Sequence, residues 1–135
     1  MTGTLTPGAT GTLERVVAEE HCTRRGEYDI FSTPNLVLFL EEAAIAALAP
    51  YLRENQASVG SRVEISHTAP TLKGQRVTIT ATVTEVDRRR VAFTILAEDG
   101  VETIGHGTHE RFVIDIAPFS ERLEKKAALL TDVTS

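Results

Sequence analysis

One long apolar run dominates the first half of the chain, and strict alternation dominates the second. From Leu36 to Ala49 every position is apolar or Ala except Glu41 and Glu42. Ser32 and Thr33 stand just before Pro34. A hydroxyl can satisfy an orphan amide and Pro suits the first helical position, so a helix is predicted over 34–52, bent or ended near Pro50. A helix apolar nearly all round belongs in a core, where a carboxylate is expensive unless it is paired or used. The stretch 77–86 reads Val-Thr-Ile-Thr-Ala-Thr-Val-Thr-Glu-Val, the period of a half-buried strand rich in β-branched residues. Residues 60–67 alternate as well, with Val63 and Ile65 opposite Arg62, Glu64 and Ser66. Strands are also predicted over 91–98 and 101–116, joined at Asp99-Gly100, the last bulged at Gly105 or Gly107. A short first strand falls within 12–20, around Leu13, Val16 and Val17. Turns fall at 55–58, 69–74 and 87–90, and 21–32 reads as a polar loop. Residues 1–11 are Thr/Gly-rich and expected to fray, and 118–135 reads as a surface helix or tail.

The order is one strand, one apolar helix and four antiparallel strands. A lone helix of that kind needs a sheet that curls around it. The expected class is α+β, a long central helix wrapped by a curved antiparallel sheet over 12–117. At 135 residues this is one domain with its own core. Open sheet edges are a liability that pairing with a second copy removes, so a homodimer is expected. A net charge of −5 argues against nucleic acid as a partner, and Arg88-Arg89-Arg90 reads as a turn before it reads as a phosphate-binding edge. No apolar stretch reaches the length of a membrane span, and the first residues lack the basic start and apolar core of a secretory signal. A single cysteine, Cys22, excludes an intrachain disulfide and a cysteine-rich zinc site. The cytoplasm is the expected compartment.

Five groups carry candidate chemistry. Glu41 and Glu42 differ by about 100° around a helix, so one is expected to face solvent or an interface and the other to be available for catalysis. His67 ends a strand beside a turn, where a side chain can reach a pocket, although strand-end histidines are often only hydrogen-bonded. Thr33 is a helix cap, and a cap can also serve a site, because the helix N-terminus offers free amides and partial positive charge. His106, His109 and Glu110 invite a metal, but on a strand His109 points opposite to His106 and Glu110, so no metal is expected. Arg111 shares a face with His109 and suits either an acid or a phosphate.

Phe31-Ser-Thr-Pro, then Leu40-Glu-Glu-Ala-Ala, then Val59-Gly60, then His67-Thr-Ala-Pro-Thr, then Ile104-Gly-His-Gly-Thr-His-Glu-Arg111 closely resemble the hot-dog thioesterases related to fluoroacetyl-CoA thioesterase. The resemblance runs from about Thr12 to Asp115. It implies a hot-dog fold and hydrolysis of a small acyl group on coenzyme A, with no cofactor beyond the coenzyme A of the substrate. It implies Thr33, Glu41 and His67 as catalytic residues, Gly60 as pocket wall and Arg111 as a further substrate-binding residue. The fluoroacetyl-CoA enzyme carries an apolar lid before its Thr. Here 21–30 is short and polar, with Tyr28 and Ile30 its only apolar candidates, so the resemblance implies the thioesterase chemistry rather than the fluoroacetyl preference.

Glu41 is then the candidate nucleophile or base, and His67 the group that activates water or protonates the leaving thiolate. Orientation or oxyanion roles suit Thr33 better than attack, because no base lies near it in sequence. Thr33 and Glu41 are eight residues apart, which is ~12 Å along a helix. Either the Thr33 turn folds back or two chains share each site. The competing readings are a non-catalytic acyl-CoA binding module and a hot-dog enoyl-thioester hydratase, whose usual His or Asp pair the Thr33/Glu41/His67 set fits poorly.

Overall fold

A computed structural model describes residues 4–134, with side chains through 130. The elements run β1 (Thr10–Val16), β2 (Cys22–Arg25), β3 (Tyr28–Phe31), α1 (Thr33–Leu48), β4 (Gln56–His67), β5 (Arg76–Asp87), β6 (Arg90–Glu98), β7 (Thr103–Asp115) and α2 (Ile116–Thr134). Single 3₁₀ turns occupy Glu19–His21 and Ala49–Tyr51. Five strands form one antiparallel sheet in the order β1-β5-β6-β7-β4, so β1 and β4 are its edges. The sheet curls around one side of α1, the expected α+β arrangement.

Alternation builds this packing. Val77, Ile79, Ala81 and Val83 of β5, with Val91, Phe93, Ile95 and Ala97 of β6, all point inward and are buried. Against them lie Leu36, Phe39, Leu40, Ala43, Ala44, Ala47 and Leu48 of α1. Gly11 lets β1 approach the helix backbone, since a Cβ there would lie 2.5 Å from the Ala43 carbonyl and 2.7 Å from the Ala47 Cα. The helix opens one residue earlier than expected, with Ser32 as its cap and Thr33 rather than Pro34 as its first residue, and it is capped through the backbone: the Ser32 carbonyl accepts from the Asn35 and Leu36 amides at 3.1 and 3.0 Å. The Ser32 hydroxyl accepts from the Asn35 side chain instead, at 2.7 Å.

Several expectations are corrected. The helix is not buried all round: Leu38 and Ile45 are 48% and 47% exposed, because a single sheet covers one side only. Glu41 and Glu42 flank that open side, each with a side chain 34% exposed. The polar loop 21–32 is a small hairpin, β2 on β3, with Gly26 at φ 60° in its turn and Arg24 on Asp29 at 3.2 Å across it. Two four-residue strands are too short to display a period. Of the terminus expected to fray, residues 1–3 lie outside the described residues. The part that follows is tied down: Gly8 donates to the Val83 carbonyl, the Val83 amide donates to Ala9, both at 2.8 Å, and β1 begins at Thr10. Residues 55–58, read as a turn, are largely the start of β4, and the tail beyond Ile116 is helical through Thr134. The bulge expected in β7 is present beside Gly105, where Ala97 and Glu98 of β6 face Gly105 and Thr103 and leave Ile104 as the extra residue, and a second, unexpected bulge lies in β4, between Gly60 and Arg62.

The β4 bulge decides which residues face the helix. On β4, His67, Ile65 and Val63 pair with Gly105, Gly107 and His109 of β7. An unbroken strand would then turn Ser58 and Gly60 outward. The extra residue switches the parity, so Gly60 pairs with Arg111 and Ser58 with Val113, on the same inner face.

Candidate active site

The five residues singled out from sequence fall into two clusters within one chain. At the start of α1, Thr33 Oγ1 lies 2.8 Å from His67 Nδ1, joining the first residue of the helix to the last residue of β4. The pair borders an open cleft of about 430 Å³, lined also by Thr23, Arg25, Ile30 and Phe31. The β2–β3 hairpin therefore forms one wall of the cleft, and it presents Thr23 and Arg25 to it. Phe31 meets the His67 ring edge-on, with centroids 6.2 Å apart. His67 Nε2 is buried and meets no partner among the described residues.

The second cluster lies two helical turns along α1. Arg111 Nη1 donates to Glu41 Oε2 at 3.0 Å and to His109 Nε2 at 3.2 Å. Its Nε donates to the Ser58 hydroxyl at 2.9 Å, and its Nη2 to the Ser58 carbonyl at 3.1 Å. These contacts use Nε, Nη2 and both hydrogens of Nη1, and the side chain is only 5% exposed. Arg111 is thus engaged with an acid, one of the two partners considered for it. Gly60 leaves room for the carboxylate: a Cβ there would run into Glu41 Oε2 and lie 3.2 Å from Arg111 Nη1. Glu42 turns the other way and pairs with Arg15 of β1 at 2.8 Å, the bland role expected for it.

Ser58 and His109 belong to this cluster and were not singled out as site residues. The shared face of His109 and Arg111 was the available signal, since a buried guanidinium needs several acceptors near it. Thr33 also changes. A base is absent from its sequence neighbourhood but present in space, at His67. His109 is engaged on both ring nitrogens, with Arg62 and Arg111. Among the described residues no three His, Cys, Asp or Glu side chains gather in a metal-binding group.

Burial pushes the pKa of both His67 and His109 below the ordinary imidazole value of 6.5, His109 further opposed by the Arg111 charge. A neutral His67 can exchange a proton with Thr33. Because both rings resist protonation only when folded, acid favours the unfolded chain. Their contribution to stability is full above pH 6.5 and is lost as pH falls through 6.5 toward the folded values. Urea midpoints should therefore be lower at pH 5.5 than at pH 7.5, and the acid limb of kcat/KM should lie below the ordinary imidazole value, roughly pH 6.5. A midpoint flat across that interval would contradict the burial assigned to the two rings.

The family described as fluoroacetyl-CoA-specific thioesterase matches residues 9–117. Fluoroacetyl-CoA thioesterase of Streptantibioticus cattleyicolor is 40% identical over 98 residues, 73% of this chain and 70% of that protein. A solved structure of the fluoroacetyl-CoA thioesterase superposes with a TM-score of 0.85 at 34% identity, covering 92% of this chain and 98% of its own. A thioesterase-superfamily protein of Thermus thermophilus superposes with a TM-score of 0.87 at 25% identity, covering 94% and 96%.

Proposed function

Because the chain belongs to the fluoroacetyl-CoA-specific thioesterase family, we propose that it hydrolyses a small acyl-CoA thioester to the free acid and coenzyme A, at a site that two copies complete together. The observation that carries the shared site is the separation of Thr33–His67 from Glu41–Arg111 along α1. Thr33 and Glu41 stand ~12 Å apart on a straight helix, too far to hold one small acyl group. Leu38 and Ile45 form an apolar stripe beside Glu41 on the open side of α1, next to the unpaired edge of β4. A second copy lying on that surface covers the stripe, pairs the edge and brings Glu41 toward the other chain's Thr33 and His67.

In this reading Glu41 does the work at the carbonyl carbon, by attack or through a water. Its Oε2 is anchored on Arg111 and Oε1 is left for chemistry. With Nδ1–H of His67 donating to Thr33, the Thr33 hydroxyl hydrogen turns to the cleft and stabilises the developing oxyanion. A second reading is favoured by the 2.8 Å contact itself: Thr33 attacks, with His67 Nδ1 as its base. Single-turnover mass spectrometry separates the two, since the second requires an acyl group on the peptide carrying Thr33. The chemistry asks for no metal or organic cofactor, and the cytoplasm suits an acyl-CoA substrate. No helix among the described residues is long and apolar enough to cross a membrane.

Thiol release from a panel of acyl-CoAs is the test. Acetyl- and fluoroacetyl-CoA should turn over at rates within about tenfold of each other, because a hairpin carrying Thr23 and Arg25 leaves the cleft wetter than an apolar lid would. Long-chain and aromatic acyl-CoAs should turn over more slowly. Tight coenzyme A binding with no thiol released from any substrate would turn the reading to a binding module, and hydration of an enoyl-CoA would turn it to a hydratase.

A further inference from the structure

We propose that His109 is a positioning residue for Glu41, acting through Arg111; this rests on the reading that Glu41 performs the chemistry. The tautomer of His109 follows from its neighbours. Nδ1 lies 2.7 Å from the Arg62 backbone carbonyl, which can only accept, so Nδ1 carries a hydrogen. Nε2 lies 3.2 Å from Arg111 Nη1, which can only donate, so Nε2 carries a lone pair. The ring is therefore neutral and oriented, and it is fully buried. Phe93 stacks on it at a centroid distance of 5.9 Å and 27° between planes, which fixes the ring plane from the core side.

The consequence is a guanidinium that cannot rotate. Ser58 holds Nε and Nη2 on one edge, and His109 takes one hydrogen of Nη1. The remaining Nη1 hydrogen then points at Glu41 Oε2, at 3.0 Å. Removing the His109 acceptor leaves the planar guanidinium held along its Ser58 edge alone, so it can tilt about that edge, and the carboxylate moves with it. Misplacing a reacting group by ~1 Å costs about 10²-fold in rate. A neutral ring is required for this work. An imidazolium would present a hydrogen to Arg111 and add a second cation beside it; Glu41 is the acid on the ring's side of the sheet, and Glu110, on the opposite face of β7, acts on the ring only through its charge. The bulge in β4 joins this device at both ends, because Gly60 and Arg62 flank it: one makes room for the carboxylate, and the other supplies the carbonyl that sets the tautomer.

Two variants separate positioning from bulk structure. In His109→Asn the short amide stays in reach of the Arg62 carbonyl but not of Arg111. In His109→Gln the amide oxygen takes the place of Nε2 and still accepts from Arg111. The expected result is a kcat about 10–100-fold lower for His109→Asn per folded molecule, with KM changed little, and a kcat within about threefold of the parent for His109→Gln. Wild-type kcat in folded His109→Asn, or equal losses in both variants that track their loss of folded protein, would overturn the proposal. Imidazole nitrogen NMR of the unmodified protein needs no variant: a neutral Nδ1–H ring is expected at pH 7, and an imidazolium or an Nε2–H ring overturns the assignment. Glu41→Gln is measured alongside. If that variant turns over normally, the underlying reading of Glu41 fails. If it is inactive while folded His109→Asn is normal, only the positioning role fails.

Discussion

Two inactive variants of this chain should regain activity when their subunits are mixed. Glu41→Gln removes the group proposed to work at the carbonyl, and His67→Ala removes the partner of Thr33. Each should lower kcat by roughly 10²–10⁴-fold as a pure protein, the usual range for a proton-transferring side chain. In a mixed dimer one site receives both substitutions. The other receives Glu41 from the His67→Ala chain and His67 from the Glu41→Gln chain, and is intact. Random exchange at equal amounts makes half of the dimers mixed, with one good site of two, so about a quarter of wild-type activity should return. A site contained in one chain predicts no recovery, because every chain in the mixture carries a defect. Thiol release after subunit exchange, with native mass spectrometry to count mixed dimers, reads the answer. Mixed dimers without activity would end the shared-site proposal.

The same separation shows which features were legible in the sequence. The strands of β5 and β6 announce themselves by alternation, and the helix by its cap and apolar run. Thr33, Glu41, Gly60, His67 and Arg111 all fall in the two clusters. The pairing was harder. Thr33 and His67 are 34 residues apart, and only the fold puts one helix start against one strand end. Ser58 was hidden because it precedes a bulge, and a period-2 reading run backward from His67 puts it on the wrong face. The exposure of α1 was hidden for a more general reason. An apolar stripe that lies open in one chain, as Leu38 and Ile45 do, has the same sequence as a stripe buried in a core. Hydrophobicity registers that a surface must be covered, not whether its own chain covers it. The two glutamates beside that stripe looked like buried charges for the same reason, and each has an arginine within 3.0 Å.

Gly60→Ala should cost activity far more than stability. A Cβ at position 60 runs into Glu41 Oε2 and sits 3.2 Å from Arg111 Nη1 and 3.5 Å from His109 Cε1. The first obstacle is the end of a flexible side chain on the half-exposed side of α1, so the chain can fold by letting the carboxylate move aside. That movement breaks the 3.0 Å contact to Arg111, the only anchor among the described residues that fixes where Oε1 points. The expected outcome is a kcat about 10²-fold lower with a stability change below roughly 1 kcal/mol. Gly107 provides the contrast on the neighbouring strand. A Cβ there collides with the Glu64 carbonyl and lies 2.8 Å from the Ile65 Cα, and backbone cannot step aside. Gly107→Ala should therefore lose about 1–3 kcal/mol of stability, with turnover per folded molecule largely preserved. Urea midpoints and kcat for the two variants, taken together, distinguish a glycine kept for the carboxylate from a glycine kept for the sheet. If Gly60→Ala lost stability and activity in step, as Gly107→Ala would lose folded protein, the clearance at Gly60 would be a packing requirement with no special bearing on Glu41.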